Sequence, residues 1–195
     1  MKFNTADVNR LMRERRSVFP RDYSGEKVKD EIIQQMLENA TWAPNHKMTE
    51  PWRFVVFSGE SLRKLATFQA TCYKTVTEAN GTFNVNKYES LQINPMKSSH
   101  IISIGVKRDE MKRVPEIEEV GAVYCAVENM YLTAAAYEMG CYLSSGGITY
   151  FQEAKEFFGL GPDDKLLGFL HVGVPNEGLP ERKRRPVDEK VIWIK

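Results

Sequence analysis

The spacing of apolar residues predicts helices and strands that alternate along the chain. Five stretches repeat apolar positions every three to four residues, and we expect helices at about 7–14, 24–43, 58–78, 116–139 and, as a short one, 153–158. The stretch 116–139 is apolar nearly all round, which favours a central position in the fold. Pro20 and Pro44 end the first two patterns, because the residue before a proline is disfavoured in the α conformation.

Short runs rich in branched apolar residues predict buried strands at 53–57, 101–106 and 166–174. A further run at 191–194 follows a basic segment, and a lone terminal strand needs a sheet to pair with, in this subunit or in another. The interleaving of helices and strands predicts an α+β or α/β fold with a small sheet that is mostly antiparallel or mixed.

Three other stretches have weaker patterns. Residues 80–100 are polar and irregular, and we interpret them as a mobile flap. Residues 107–119 form a charged connection in which Pro115 could occupy the first turn of the next helix. Residues 141–147 are predicted to form a glycine-containing turn whose backbone amides approach a ligand closely.

Composition agrees with an ordinary globular protein. The 195 residues are 42% apolar and 27% charged, which predicts one domain over 1–195. The net charge of +1 gives no overall attraction to nucleic acid or to an anionic membrane. No apolar run reaches the roughly 18 residues of a membrane helix, and no signal-peptide pattern opens the chain, so we expect a cytoplasmic protein. The three cysteines include no Cys-x-x-Cys pair, so neither disulfides nor a zinc site is expected.

Two basic groups lie near opposite ends of the chain. Arg15, Arg16 and Ser17 follow the first helix and offer two guanidinium groups and a hydroxyl, a donor set that suits phosphate. A solvated basic helix end is the alternative, since cations also favour the helix C-terminus. Residues 182–185 read Arg-Lys-Arg-Arg, which is compatible with a solvated loop, a nucleic-acid patch or one wall of an anion site.

A polar loop at 42–54, Trp-Ala-Pro-Asn-His-Lys-Met-Thr-Glu-Pro-Trp-Arg-Phe, joins the second helix to the first strand. A loop stiffened by prolines in this position can hold backbone and side chains against a ligand. His46 lies in it, but a lone histidine is not a metal site. The sequence has no Gly-x-Ser-x-Gly, Walker or Gly-x-Gly-x-x-Gly pattern, so hydrolase, nucleotide triphosphatase and Rossmann dehydrogenase interpretations lose their main support.

The order of these motifs resembles the flavin-dependent nitroreductase family over about residues 8–194. Arg-Arg-Ser is followed by Ala-Pro-Asn-His-Lys, Glu-Pro-Trp-Arg-Phe, Ser-Ser-Gly, Leu-Gly-Phe-Leu-His-Val-Gly-Val-Pro and Arg-x-Arg-Arg-Pro-Val-Asp-Glu. The form with Pro-Asn-His-Lys is similar to the compact bacterial branch of the family. The resemblance implies an α+β homodimer with FMN in two clefts at its interface and with the C-terminal strand crossing to the partner subunit.

The resemblance also implies a function. The implied protein is an NAD(P)H oxidoreductase that uses FMN to reduce nitroaromatic, quinone or similar small-molecule acceptors with ping-pong kinetics. NADH or NADPH is the electron donor. The cofactor carries the chemistry, and no side chain acts as acid or nucleophile. Two alternatives stay open: a flavoenzyme of the same fold that removes halogens or modifies flavin, and a non-enzymatic protein that binds through its basic tail.

Specific residues match the family's FMN-binding positions. Those implied for the phosphate and ribityl chain are Arg15, Arg16, Ser17, Arg182 and Arg184. Those implied for the flavin ring are Trp42, Asn45 and His46, which would reach it from the other subunit, and Leu143, Ser144, Ser145 and Gly146, with the Ser145 backbone N–H facing N5. The chain departs from the family at Phe19, where many relatives carry a basic residue near flavin N1, although Arg21 is close by.

Overall fold

The computed structural model describes residues 2–177 and 183–195. The helices of this part of the chain are α1 (Thr5–Glu14), α2 (Asp30–Ala40), α3 (Glu60–Ala79), α4 (Val85–Ile93) and α5 (Glu116–Ala136). The strands are β1 (Trp52–Ser58), β2 (His100–Val106), β3 (Gly140–Ser144) and β4 (Lys165–Gly173). None of the described helices is both long and apolar enough to cross a membrane.

The four strands form one sheet in the order β1-β2-β4-β3, and every neighbouring pair is antiparallel. All seven residues of β2 are buried, as are eight of the nine in β4. The predicted α+β fold with a small antiparallel sheet is therefore confirmed. β1 and β3 form the two edges, and each is paired along one side by a named strand.

Helices cover both faces of the sheet and create two apolar clusters. Successive residues of a strand point to opposite faces, so Ile101 and Ile102 enter different clusters. Members of the first cluster, on the side of α2 and α5, include Met36, Ile102, Val123, Met130 and Leu170. Members of the second, on the side of α3, include Leu65, Ile101, Phe158 and Phe169. Each fully buried side chain of this size contributes about 1.5–3 kcal/mol to folding.

The second helix begins at Asp30, and its predicted start at residue 24 is wrong. The Ser24 backbone N–H donates to the Val174 carbonyl at 2.9 Å, and the Val28 N–H donates to Ser99 Oγ at 2.8 Å. These bonds to distant segments hold residues 24–29 outside the helix, although Ser-Gly-Glu is a good local start signal. Similarly, α5 ends at Ala136 instead of residue 139.

Two stretches without predicted regular structure contain secondary elements. Residues 80–100 include α4, a 3₁₀ turn at Asn94–Lys97 and the first residue of β2, so the flap interpretation is wrong for most of the stretch. Asn84 caps α4 by accepting a hydrogen bond from the Lys87 N–H at 3.0 Å. Residues 141–144 belong to β3, so the turn begins later than predicted. The short helix at 153–158 is two 3₁₀ turns.

The terminal run 191–194 is not part of the sheet of its own chain. Val191 has extended backbone angles (φ −131°, ψ 132°), but no strand of the described residues pairs with it. Ile192 and Ile194 are 90% and 94% exposed. Pairing of this run with a second subunit stays a prediction.

Candidate functional site

Three of the predicted site residues meet at Tyr131, a buried residue in the second half of α5. The Arg15 guanidinium carbon lies 5.3 Å from the centre of its ring. The Tyr131 hydroxyl is 3.4 Å from Ser17 Oγ and accepts a hydrogen bond from the Leu143 N–H at 2.7 Å. Burial raises the pKa of this hydroxyl, so it keeps its proton. Tyr131 thus joins the segment after α1 to β3, a role that its place in an apolar helical pattern does not reveal.

The end of α1 places Arg15 at this junction. Asn4 caps the helix at its start, and the Arg15 N–H closes its last turn by donating to the Leu11 carbonyl at 3.0 Å. Beyond it, the Val18 N–H donates to the Cys141 carbonyl at 2.8 Å, which adds residues 17–18 to the free side of β3. The segment Arg15–Ser17 is therefore held by the sheet as well as by α1.

Arg15 has an unsatisfied donor. Its side chain is only 18% exposed, and its Nε lies 3.3 Å from Glu128 Oε1 without forming a hydrogen bond. Because this Nε is enclosed by protein, a ligand would meet the guanidinium through its other two nitrogens. A cavity of about 340 Å³ lies beside Arg15, and its charged lining residues are Arg15, Arg16, Glu14 and Glu138. Cys141 also lines this cavity. Burial raises the pKa of the Cys141 thiol, which excludes it as a nucleophile at neutral pH.

The turn that follows β3 offers backbone donors. Within the described chain, the N–H groups of Ser145 and Gly146 donate to no acceptor, and both residues are exposed. The Ser144 carbonyl approaches β4 so closely that a Cβ on Gly168 would lie 2.4 Å from it, and Gly168 has a φ of +148°. Glycine is required at position 168, because it allows the backbone of β4 to pack directly against the end of β3 where the turn begins.

A second cavity, of about 400 Å³, opens beside this turn on the α3 and α4 side of the sheet. Its lining includes Phe19, Arg21, Lys87, Lys97, Ser144, Gly146 and His171. The Phe19 and Tyr142 rings pack at a tilt of 41° with centres 4.5 Å apart, and the Arg21 guanidinium lies 5.1 Å from the centre of the Phe19 ring. The position where many relatives carry a basic residue is thus filled by an aromatic contact.

Lys87 is a cationic residue of this cavity that was not predicted from the sequence. Its Nζ lies 3.5 Å from the place that a Cβ on Gly146 would occupy, so it reaches the β3 turn. It belongs to the first turn of α4, directly after the Asn84 cap. Asn84 three residues before Lys87 is the signal that could have indicated the helix, but no residue of α4 is buried, so its apolar pattern is weak.

The loop at 42–50 carries backbone strain. Lys47, Met48 and Glu50 have φ values of 53°, 52° and 42°, which are unfavourable for residues other than glycine. Such conformations cost about 1–3 kcal/mol each and persist where other contacts impose them. Asn45 Oδ1 accepts a hydrogen bond from the Glu50 N–H at 3.0 Å, and Lys47 Nζ donates to a backbone carbonyl of the 107–115 connection at 3.1 Å.

His46 of this loop lies far from Arg15 within one chain. His46 Nδ1 is 2.5 Å from Glu118 Oε2, in the first turn of α5. Glu118 precedes Tyr131 by thirteen residues, which is about 20 Å along a helix. Trp42 is 83% exposed. The prediction that Trp42, Asn45 and His46 reach the ring site of a second subunit stays a prediction.

The described residues do not show the C-terminal half of the expected phosphate site. Arg182 lies outside the described residues. Arg184 is exposed, and its one hydrogen bond with a described residue is a 3.5 Å contact with the carbonyl of Lys183. The convergence of Arg182 and Arg184 on Arg15 stays a prediction. No group of three potential metal ligands occurs among the described residues.

Comparison with known proteins identifies the family. The model of the family described as Nitroreductase matches residues 12–174, which include Arg15, Ser17, the 42–54 loop and the β3 turn. The chain belongs to the nitroreductase family. YfhC of Bacillus subtilis strain 168, which bears the name of an NAD(P)H nitroreductase, is 28% identical over 92% of this chain and 90% of its own length. The iodotyrosine deiodinase of Hydra vulgaris is 28% identical over 93% of this chain and 70% of its own.

Solved structures of nitroreductase-like proteins share the fold. The nitroreductase-like family protein of Bacillus cereus superposes with a TM-score of 0.80 at 27% identity and covers 100% of this chain and 99% of its own. A Desulfovibrio desulfuricans protein described as a nitroreductase, solved in complex with FMN, has a TM-score of 0.72 at 23% identity with the same coverage. The predicted nitroreductase-like α+β fold is confirmed by these similarities.

Proposed function

We propose that this nitroreductase-family protein is an FMN-dependent NAD(P)H oxidoreductase that reduces nitroaromatic, quinone or similar acceptors. The observation that carries the proposal is the position of Arg15, which lines the first cavity together with Arg16 and lies two residues before the exposed Ser17. Arginine and a short hydroxyl are suited to a phosphate monoester. The similarity to YfhC supports NAD(P)H as the electron donor, and the similarity to the Desulfovibrio desulfuricans protein solved with FMN supports FMN as the cofactor.

The two cavities accommodate the two ends of such a ligand. Val18 lines the first cavity and Phe19 the second, so both cavities lie along the segment that follows Ser17 beside β3. Arg15, Arg16 and Ser17 would hold the phosphate, and the free N–H of Ser145 would donate to the ring. FMN held by these residues would supply the redox chemistry between NAD(P)H and the acceptor. The chain's own residues bind and orient the ring, and none is needed as a nucleophile.

A homodimer completes this proposed site. The terminal run 191–194 is apolar, exposed and extended at Val191, and no strand among the described residues pairs with the outer side of β1. Adding a strand from a second subunit to an open sheet edge satisfies backbone hydrogen bonds on both. We infer that the exchanged tail brings Arg182 and Arg184 toward the phosphate and that the partner's loop brings Asn45 and His46 toward the ring.

The test is FMN binding by purified protein and by single variants. The wild-type protein incubated with FMN should show flavin absorbance in the near ultraviolet and the blue, and oxidise NADH or NADPH when a nitroaromatic or quinone is present. Arg15→Lys and Arg184→Ala should each weaken FMN binding by roughly 10- to 100-fold, since a hydrogen bond to a charged group contributes about 1.5–3 kcal/mol. Arg13→Ala, an exposed arginine in the last turn of α1, is the matched control and should bind FMN like the wild type.

Failure would be unambiguous. A protein that stays colourless with excess FMN contradicts the proposal, and so does an Arg15→Lys variant with unchanged FMN affinity. Salt-sensitive nucleic-acid binding that is lost in Arg182→Ala and Arg184→Ala, without any flavin spectrum, would instead support the basic-tail alternative.

Similarity to the Hydra vulgaris iodotyrosine deiodinase favours a second candidate function, reductive dehalogenation on the same cofactor. Comparing turnover of an iodinated phenol with that of a nitroaromatic, at equal flavin content, separates the two. Faster turnover of the iodinated phenol would select the second function.

A further inference from the structure

The cavity beside the β3 turn is lined by positive charge and hydrogen-bond donors. Its charged side chains are Arg21, Lys87 and Lys97, and its described lining contains no Asp or Glu. Lys87 and Lys97 form no ion pair within the described part of the chain, whereas Arg21 Nε lies 3.8 Å from Asp22 Oδ1. Cations without acidic partners around a cavity favour a ligand with an electron-rich edge.

His171 is a buried member of this lining with one unused ring nitrogen. The residue is 8% exposed, and its Nδ1 lies 2.9 Å from Ser98 Oγ. Nε2 forms no hydrogen bond within the described chain. It is also absent from the atoms that are both fully enclosed and unpaired, so part of its surface is accessible. Nε2 is therefore open to the cavity that His171 lines. A histidine that only completed the core would have both nitrogens paired, as His100 does with Asp30 and Ser99.

Ser98 determines which nitrogen carries the proton. Ser98 is 6% exposed, and its hydroxyl makes a single hydrogen bond, with His171 Nδ1. A buried hydroxyl hydrogen needs an acceptor, and Nδ1 is the acceptor within reach, so the Ser98 hydroxyl donates to it. The ring proton then resides on Nε2, which makes this nitrogen a donor toward the cavity.

We propose that His171, oriented by Ser98, is a neutral hydrogen-bond donor to an electron-rich oxygen or nitrogen of the ring held beside the β3 turn. The inference rests on the proposed function and adds a residue and a ligand chemistry to it. Two sources could supply that atom: the pyrimidine edge of FMN, or a nitro, quinone or carboxylate oxygen of the acceptor. A fixed donor is effective at either, because negative charge develops there during reduction.

The test compares His171→Phe and Ser98→Ala with wild type, all loaded with FMN. His171→Phe keeps a planar ring and removes both nitrogens, while Ser98→Ala keeps the imidazole and removes the hydroxyl that sets its tautomer. His100→Gln is the matched control, because that buried histidine lies on the neighbouring strand and does not line the cavity. One arm titrates sulfite, which adds to the flavin ring and leaves negative charge at its pyrimidine edge. The other titrates p-nitrobenzoate, followed by the shift in flavin absorbance.

His171→Phe removes a donor to a charged acceptor, so it should weaken either the sulfite or the p-nitrobenzoate affinity about ten-fold or more. Ser98→Ala should weaken the same affinity by a smaller factor. A weaker sulfite affinity identifies the flavin as the partner, and a weaker p-nitrobenzoate affinity identifies the acceptor. If both affinities stay within about two-fold of wild type in FMN-loaded Ser98→Ala and His171→Phe, the inference is overturned while the proposed function stands. If the wild-type protein binds no FMN, both are overturned.

Discussion

His171 should make the protein sensitive to mild acid. Burial lowers the pKa of His171 from the ordinary 6.5 to about 4. Between these values the unfolded chain binds a proton at this residue and the folded chain does not. The stabilisation is therefore complete above pH 6.5 and is lost as the pH falls toward 4.

The size of the effect follows from the two pKa values. One unit of pKa difference corresponds to 1.36 kcal/mol, so the full loss below about pH 4 is about 3 kcal/mol, and about 2 kcal/mol is already lost near pH 5. A domain is typically stable by about 5–15 kcal/mol, so this one residue accounts for a measurable share.

The assay is urea unfolding followed by tryptophan fluorescence near pH 7.5 and near pH 5, at fixed protein concentration and without added FMN. His171→Gln cannot titrate, and its side chain can still accept a hydrogen bond from Ser98. Its unfolding free energy should fall by about 2 kcal/mol less than that of the wild type between the two pH values. An equal fall in both proteins would show that His171 is already protonated in the folded state and would refute the reasoning.

Two substitutions test the contacts that build the site. Tyr131→Phe keeps the ring under Arg15 but leaves the Leu143 N–H without its acceptor. The unfolding free energy, measured by urea unfolding, should therefore fall by about 1–2 kcal/mol. The affinity for FMN, measured by flavin titration, should fall as well. Gly168→Ala should lower the unfolding free energy by about 3 kcal/mol, because its new Cβ would meet a backbone oxygen at 2.4 Å. Gly121→Ala is the control: this glycine has open space around it on α5, so its substitution should raise the melting temperature slightly. A Gly168→Ala protein as stable as Gly121→Ala would contradict the close approach.

The elements predicted well are those whose signal is local. The apolar runs at 101–106 and 166–174 differ from β2 and β4 by a single residue at their ends, because strands buried on both faces are continuous apolar stretches. α4 was missed because no residue of this surface helix is buried and its apolar spacing is therefore faint. β3 was mistaken for a turn because its five residues include Gly140 and Ser144, and only pairing with β4 makes them a strand.

In the candidate site too, the residues with a local signal could be predicted, and those placed by tertiary packing could not. Arg15 and Ser17 could be proposed from their donor chemistry and from resemblance, and the structure brings both to Tyr131. Tyr131 itself, and the open nitrogen of His171, depend on which side chains tertiary packing brings together, and spacing along the chain does not encode this. The roles predicted for Arg184 and for the 42–50 loop require a second subunit, so a single chain does not test them.

Tyr131 also implies that the two ends of the ligand site are energetically coupled. Its hydroxyl lies 3.4 Å from Ser17 Oγ, and the residues on either side of Ser17, Arg16 and Val18, line the first cavity. The same hydroxyl accepts a hydrogen bond from the Leu143 N–H in β3, whose last residue, Ser144, lines the second cavity. Ordering of either neighbour by a bound group restricts the hydroxyl for the other. Separate fragments, such as inorganic phosphate and riboflavin, would then bind with positive cooperativity, each tightening the hold of the protein on the other.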